Sequence, residues 1–214
     1  MRAYLFDFDG TLVDSMPTYG GIMLRLLDEM GMAYEKDILR IITPLGYGGT
    51  AKYYAQELGA PWSQECMIEK MQAYAREAYA HTVPAKAYVA QTLQLLRERG
   101  EQLHVLTASP HSALDPCLKR LGLWDYFGYI WSCEDFGLTK ADSEIYRRAA
   151  QKIGLPMENI LFLDDNLNAD RTAKAAGMRV CGVYDDSSRE YREEIRAAAD
   201  FYIDDFSQLP AIEW

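Results

Sequence analysis

The sequence predicts an α/β fold, a doubly wound parallel sheet carrying a small α-helical insert. Three observations predict it. A short unbroken apolar run at Ala3 to Phe6 reads as a strand buried on both faces, as in parallel sheets, and apolar runs at Leu103 to Leu106 and Ile160 to Leu163 read as further strands. Segments of helical period alternate with these runs. After the first run, the chain from Ser15 to about Val83 shows helical patterning and little else.

Taken in order, Ala3 to Phe6 leads directly into Asp7-Phe8-Asp9-Gly10-Thr11. Asp14 and Ser15 then offer N-cap chemistry, and Pro17 suits a first helical turn. Ile22, Leu26 and Met30 recur at i, i+4 and i+8, with Gly31 as a stop. Met67, Met71, Tyr74 and Ala78 form a second stripe, expected to be core. Between them Thr43-Pro44-Leu45-Gly46-Tyr47-Gly48-Gly49 reads as a glycine-rich loop. It lacks the Lys-Ser/Thr ending of a nucleotide phosphate loop, which argues against a kinase.

Past Pro84 the rhythm changes. A helix through Val89, Leu93 and Leu96 stops near Gly100, and the strand of Leu103 to Leu106 ends in Thr107-Ala108-Ser109. A helix is expected around Pro116 to Leu121 and a strand at Tyr129 to Trp131. Asp142 or Ser143 caps a helix bearing Ile145, Ala149 and Ile153, closed by Gly154. The strand of Ile160 to Leu163 ends in Asp164-Asp165, and a helix runs on to Gly177. Arg179 to Val183, a helix over Ser188 to Ala198 and a short strand at Phe201 to Ile203 complete the alternation. The expected organisation is a core from 1–14 and 84–214, with a helical domain at 15–83.

Bulk properties narrow the function classes. With 214 residues and 49% apolar content, the chain can fill a sizeable core. The formal net charge of -10, with no Lys/Arg run, argues against a nucleic-acid partner. No apolar segment is long enough to span a bilayer, and Asp7 and Asp9 come too early for a secretory signal, so the expectation is a cytoplasmic protein without a membrane partner. Cys66, Cys117, Cys133 and Cys181 show no zinc-like pairing and are expected to be neutral thiols. Oligomeric state is not legible.

In an open α/β sheet, ligands bind beyond the carboxyl ends of the strands. Here those ends offer Asp7 and Asp9, then Thr107 and Ser109, then Asp164 and Asp165, while Lys140 follows a glycine-containing loop. Each has a bland reading taken singly. Asp-x-Asp-Gly also makes turns, Lys140 alone reads as a surface lysine, and Asp164-Asp165 could cap the following helix. Jointly they describe carboxylates that a cation must neutralise, beside a lysine and a hydroxyl. Magnesium takes such oxygen ligands together with substrate phosphate. The combination therefore points to a phosphate-plus-magnesium site.

These residues resemble the haloacid dehalogenase superfamily over essentially the whole chain. Asp7-Phe8-Asp9-Gly10-Thr11-Leu12-Val13-Asp14-Ser15 resembles its first motif, the run ending in Thr107-Ala108-Ser109 the second, Lys140 with Asp142 and Glu144-Ile145-Tyr146 the third, and Asp164-Asp165 through Ala175-Ala176-Gly177 the fourth. The resemblance implies a Rossmannoid core, an α-helical cap inserted between the first two motifs, and a phosphatase acting on a small phosphorylated metabolite. It implies that Asp7 is the nucleophile that forms an aspartyl-phosphate and that Asp9 is the general acid and base. Thr107 and the backbone near Ala108 would hold phosphoryl oxygens, and Lys140 would pair with phosphate and Asp7. Magnesium would bind the Asp7 side chain, the Asp9 carbonyl and the Asp165 side chain, with Asp164 on the metal or just behind its ligands. An acid at position 9 favours phosphoryl transfer over dehalogenation.

The sequence departs from the family pattern at Ala141 and Ser143, where prolines are usual. It departs again at Ala169, where an Asp or Asn often stands; Asn168 and Asp170 flank that position. Sugar-phosphate mutases related to β-phosphoglucomutase resemble the same core but carry a histidine where Tyr19 stands, which makes the mutase the alternative. A non-catalytic binding protein on the same fold is a second one. Tyr19 and Tyr47 are candidate specificity residues, and Tyr19 reads equally well as helix core.

Overall fold

The computed structural model describes residues 2–35 and 37–214, with the side chain of Pro44 also outside that set. The described chain forms two compact units. One is Ser15–Val83, and the other comprises the segment up to Asp14 together with Pro84–Trp214.

The larger unit is built on a six-stranded, wholly parallel sheet of order β3-β2-β1-β4-β5-β6. Its strands are β1 (Ala3–Phe6), β2 (Gln102–Thr107), β3 (Tyr129–Ser132), β4 (Ile160–Asp164), β5 (Arg179–Val183) and β6 (Phe201–Ile203). Every residue of β1 and β4 is buried, as their unbroken apolar runs require of central parallel strands. The chain order runs outward in both directions from the β1–β4 pair. That pair is the switch point where a doubly wound sheet opens a crevice beyond its strand ends.

Five of the nine α-helices among the described residues belong to this unit: α5 (Val89–Glu98), α6 (His111–Arg120), α7 (Ser143–Ile153), α8 (Leu167–Ala176) and α9 (Arg192–Ala198). One face of the sheet packs Leu5, Leu106, Ile160 and Phe162 against Ile145, Tyr146 and Ala149 of α7 and Ala173 of α8. Phe6 is in ring contact with Phe127 and Phe206, at 6.1 and 6.2 Å between centroids. Gly154 closes α7 at φ 81°, a left-handed conformation that glycine adopts without a Cβ penalty.

The helical unit holds α1 (Met16–Glu29), α2 (Ile38–Ile42), α3 (Gly46–Gln56) and α4 (Gln64–His81). Ile22, Met23, Leu26 and Leu27 of α1 are buried, as are Met67, Met71, Ala75 and Tyr79 of α4.

Five sequence expectations need correction. The glycine-rich stretch is not a loop: Thr43–Leu45 forms a 3-10 turn, and Gly46 opens α3. Glycine serves the junction itself, because a Cβ on Gly49 would lie 2.7 Å from that of Leu45. The second half of the α4 stripe falls on Ala75 and Tyr79 rather than Tyr74 and Ala78. Tyr74 is half-buried because its hydroxyl turns out to Glu29 at 2.7 Å. Helix α6 begins at His111, five residues before Pro116, which lies within it. The last helix is split into a 3-10 segment, Asp186–Tyr191, and the α-helix Arg192–Ala198. At the start of α1, Ser15 occupies the N-cap position but its side chain makes no capping bond.

Candidate active site

Register alone brings the first carboxylates together. Phe6 lies opposite Leu163, so the next residues out, Asp7 and Asp164, emerge side by side at the β1–β4 switch point. The Asp7 amide donates to the Leu163 carbonyl at 2.8 Å, which extends the ladder one step past β1. Asp7, Asp164 and Asp165 are all buried and offer carboxylate oxygens within 4.8 Å of one another. Asp165 does not cap the following helix. Asn166 does, accepting from the Asn168 and Ala169 amides at 3.0 and 3.2 Å. Asp164 accepts from the Asn166 amide at 2.8 Å.

Lys140 reaches this cluster from the loop before α7. Its ammonium donates to Asp7 Oδ1 and, at 2.8 Å, to Asp164 Oδ2. Its backbone is fixed from behind. The buried Tyr146 hydroxyl lies 3.1 Å from the Lys140 carbonyl and 3.2 Å from that of Ala169, tying the lysine loop to α8.

The turn after β1 completes the near side. Gly10 sits at φ 72°, and a Cβ there would lie 2.6 Å from Asp165 Oδ2, so only glycine lets this backbone approach the carboxylate. The Thr11 hydroxyl lies 3.4 Å from Asp165 Oδ1. Asp9 accepts a hydrogen bond from the Ser109 hydroxyl, which links the first turn to the end of β2. Thr107 is buried at that strand end, where its Oγ1 accepts from the Ser109 amide at 3.0 Å across Ala108.

The electrostatics follow from burial. Desolvation pushes the Asp7 carboxyl up to about 7; the negative charges of Asp164 and Asp9 add to that, and Lys140 opposes it. Burial also holds Asp165 well above the usual carboxylate range, reinforced by Asp164, Asp7 and Asp185. Burial alone would lower Lys140, but Asp164 and Asp7 outweigh it and hold the ammonium charged. With all three carboxylates ionised, the one ammonium would leave two negative charges unopposed. A hard divalent cation with oxygen ligands fits both that charge and that donor set, as magnesium does.

The expected core residues Asp7, Asp164, Asp165 and Lys140 therefore meet at one point, with Asp9 and Thr107 on adjoining strand ends. Tyr19 and Tyr47 lie in the helical unit, where their rings stack on one another at 4.8 Å and 26°. Three residues received no site role from the sequence. Ser109 was legible only as a strand-end residue. Asp170 is fully buried on α8 with neither carboxylate oxygen hydrogen-bonded among the described residues, and burial beside Asp164 and Asp165 raises its carboxyl. It stood beside the expected acidic position, and helix phase turns it inward. Lys86 has no sequence signal at all; its ammonium pairs with Asp185 at 3.0 Å beneath the Gly10 turn.

This geometry has relatives. The chain is 27% identical over 185 residues to the pyrophosphatase PpaX of Bacillus velezensis, covering 86% of this chain and 83% of that one. It is 28% identical over 193 residues to the phosphoglycolate phosphatase of Pectobacterium atrosepticum, covering 86% and 80%. The fold matches a crystal structure of a haloacid dehalogenase-like protein from Agrobacterium tumefaciens with a TM-score of 0.81 and 24% identity, over 99% of this chain and 96% of that one. The family profile described as haloacid dehalogenase-like hydrolase matches residues 4–183, a span from β1 to the end of β5 that takes in every strand-end residue of the site, and the chain belongs to that family.

Proposed function

We propose that the chain is a magnesium-dependent phosphatase that cleaves the monoester of a small phosphorylated metabolite through an aspartyl-phosphate on Asp7. The observation that carries this reading is the Asp7 carboxylate at the β1 end. It is held by an ammonium shared with Asp164, and a second acid, Asp9, stands two residues on.

Asp7 supplies the nucleophile. One carboxylate oxygen bonds to phosphorus as the ester P–O bond breaks, and Asp9 gives its proton to the departing oxygen. In the second half, Asp9 takes a proton from water, the water oxygen bonds to the same phosphorus, and the Asp7–phosphorus bond breaks to restore the carboxylate and release phosphate. Thr107 and the backbone at Ala108 steady the phosphoryl oxygens. Lys140 moves its charge between carboxylates and phosphate. The Asp7 and Asp165 side chains and the Asp9 carbonyl would hold magnesium, with Asp164 beside them. When bound, the metal offsets the negative charge of carboxylates and phosphoryl group alike. The hydrogen bond from Ser109 to Asp9 aims the acid.

The helical unit acts in this reading as the cap that selects substrate, and the Tyr19–Tyr47 stack is its specificity element. The two phosphatase relatives carry names for different substrates, in keeping with one fold serving several.

The test is phosphate release from a panel of phosphorylated metabolites, with magnesium and with chelator, for the wild type and Asp7→Asn. Magnesium-dependent release that vanishes in the variant is the expected result. Intact release by Asp7→Asn would overturn the nucleophile, and isomerised sugar phosphate without release would favour a mutase. A Tyr47→Ala variant is expected to reorder the substrate ranking; an unchanged ranking counts against the tyrosine stack.

A further inference from the structure

We propose that Lys86 is a positioning residue of the acidic site, clamping the turn that carries Asp9 and Gly10 to the end of β5. The inference rests on the phosphatase reading for its activity readout and on geometry for the clamp itself.

Lys86 lies two residues past the point where the chain returns from the helical unit. Its side chain is 17% exposed, and its ammonium has an acceptor for each of its three protons. These are the Gly10 carbonyl at 2.7 Å, the Tyr184 carbonyl and Asp185 Oδ2 at 3.0 Å. Tyr184 and Asp185 directly follow β5, so one ammonium joins a segment 76 residues before it to one 98 and 99 residues after it. Asp185 is held in its turn: its Oδ1 accepts from the Ser187 amide at 2.9 Å and the Ser187 hydroxyl at 2.6 Å.

The other end of the clamp bears on the chemistry. Gly10 is the residue whose backbone lies against the Asp165 carboxylate, and its neighbour Asp9 carries the acid. The Lys86 amide also donates to the Leu12 carbonyl at 3.0 Å, while Ala85 bridges Val13. Backbone and side chain of one lysine thus grip the same turn from both sides. Lys86 touches none of the three clustered carboxylates, so its effect passes through Gly10. Its charge also offsets Asp185, which bears on Asp165 through space. Positioning and charge offset make opposite predictions. Removing a cation near a cation site strengthens metal binding, whereas releasing the turn weakens it.

The experiment compares wild type, Lys86→Met, Lys86→Arg, Asp185→Asn and Lys86→Met/Asp185→Asn. Each is measured for magnesium affinity by calorimetry without substrate, hydrogen exchange of residues 8–13, and kcat and KM on p-nitrophenyl phosphate. Lys86→Met is expected to weaken magnesium and to lower kcat, each about tenfold or more, with KM nearly unchanged and faster exchange in the turn. Lys86→Arg should restore most of each loss, and adding Asp185→Asn should not. Unchanged or tighter magnesium binding in folded Lys86→Met would overturn the clamp, as would full recovery in the double variant. If Lys86→Met does not fold, Lys86→Gln is read by the same measures. A wild type that binds magnesium but releases no phosphate would defeat the phosphatase reading, while calorimetry and exchange would still decide the clamp.

Discussion

The two units bury different kinds of side chain. In the helical unit the interior is apolar, with Met23, Leu26, Leu27, Ile42, Met67 and Met71 fully buried. Two of its buried hydroxyls are turned onto backbone carbonyls: Tyr54 onto Met23 at 3.0 Å and Thr50 onto Ile42 at 3.0 Å. The sheet unit buries Asp7, Asp164, Asp165, Asp170 and Asp185 in the same molecule. Burying a carboxylate costs free energy unless charge or hydrogen bonds compensate. Lys140 and Lys86 compensate part of this, and a divalent cation suits the remainder. The contrast teaches that both units pack an apolar core, while among the described residues the buried carboxylates gather in the sheet unit alone.

The sharpest way to break that contrast is Asp7→Asn. Phosphatase activity is expected to fall about a thousandfold or more, while the metal-free melting temperature at alkaline pH stays level or rises, since a buried charge is removed. A clear drop in that melting temperature, by calorimetry in chelator, would mean that Asp7 holds the fold together. The opposite probe is Leu26→Ala in the helical unit. It should cost about 2–5 kcal/mol in denaturant unfolding, because a fully buried side chain leaves a cavity. A loss within error would show that the unit repacks freely.

A third expectation concerns pH. The Asp7 carboxyl titrates at about 7 in the folded, metal-free chain against an ordinary value of 3.8. Between those values the folded state binds more protons than the unfolded one, so this group's contribution to stability falls as pH rises through that window. Magnesium favours the ionised form, so the rise in melting temperature on adding it should be larger at about pH 8 than at about pH 6. An equal or reversed shift would place the metal elsewhere. The smallest effect is Tyr54→Phe, expected to cost about 1 kcal/mol in chemical denaturation through the lost bond to Met23.

Much of the sheet was legible because β1, β2 and β4 are largely apolar runs that end abruptly in polar residues, as strands buried on both faces favour. The α7 boundaries were legible because Asp142 and Gly154 act locally, one through its side chain and one through its backbone freedom. Other features escaped for identifiable reasons. Gly46, Gly48 and Gly49 are poor helix formers, yet they lie in the first turn of α3, where the close approach of Leu45 demands glycine at position 49. Asp164-Asp165, expected at the metal, also allowed a helix-cap reading, because capping chemistry does not distinguish them from Asn166. Asp170 was ambiguous because one residue of helix phase separates solvent from burial.

The sequence by itself determined which residue types stand at which strand ends, since apolar run length and local capping are written in neighbouring residues. It also carried the family's motif spacing. Only the tertiary structure decided which of those ends meet. The parallel register sets Asp7 beside Asp164, Tyr146 anchors the Lys140 loop, and Lys86 joins Gly10 to Asp185. Those contacts link residues far apart in the chain, and their energies depend on burial and through-space charge, which no local pattern of residues encodes.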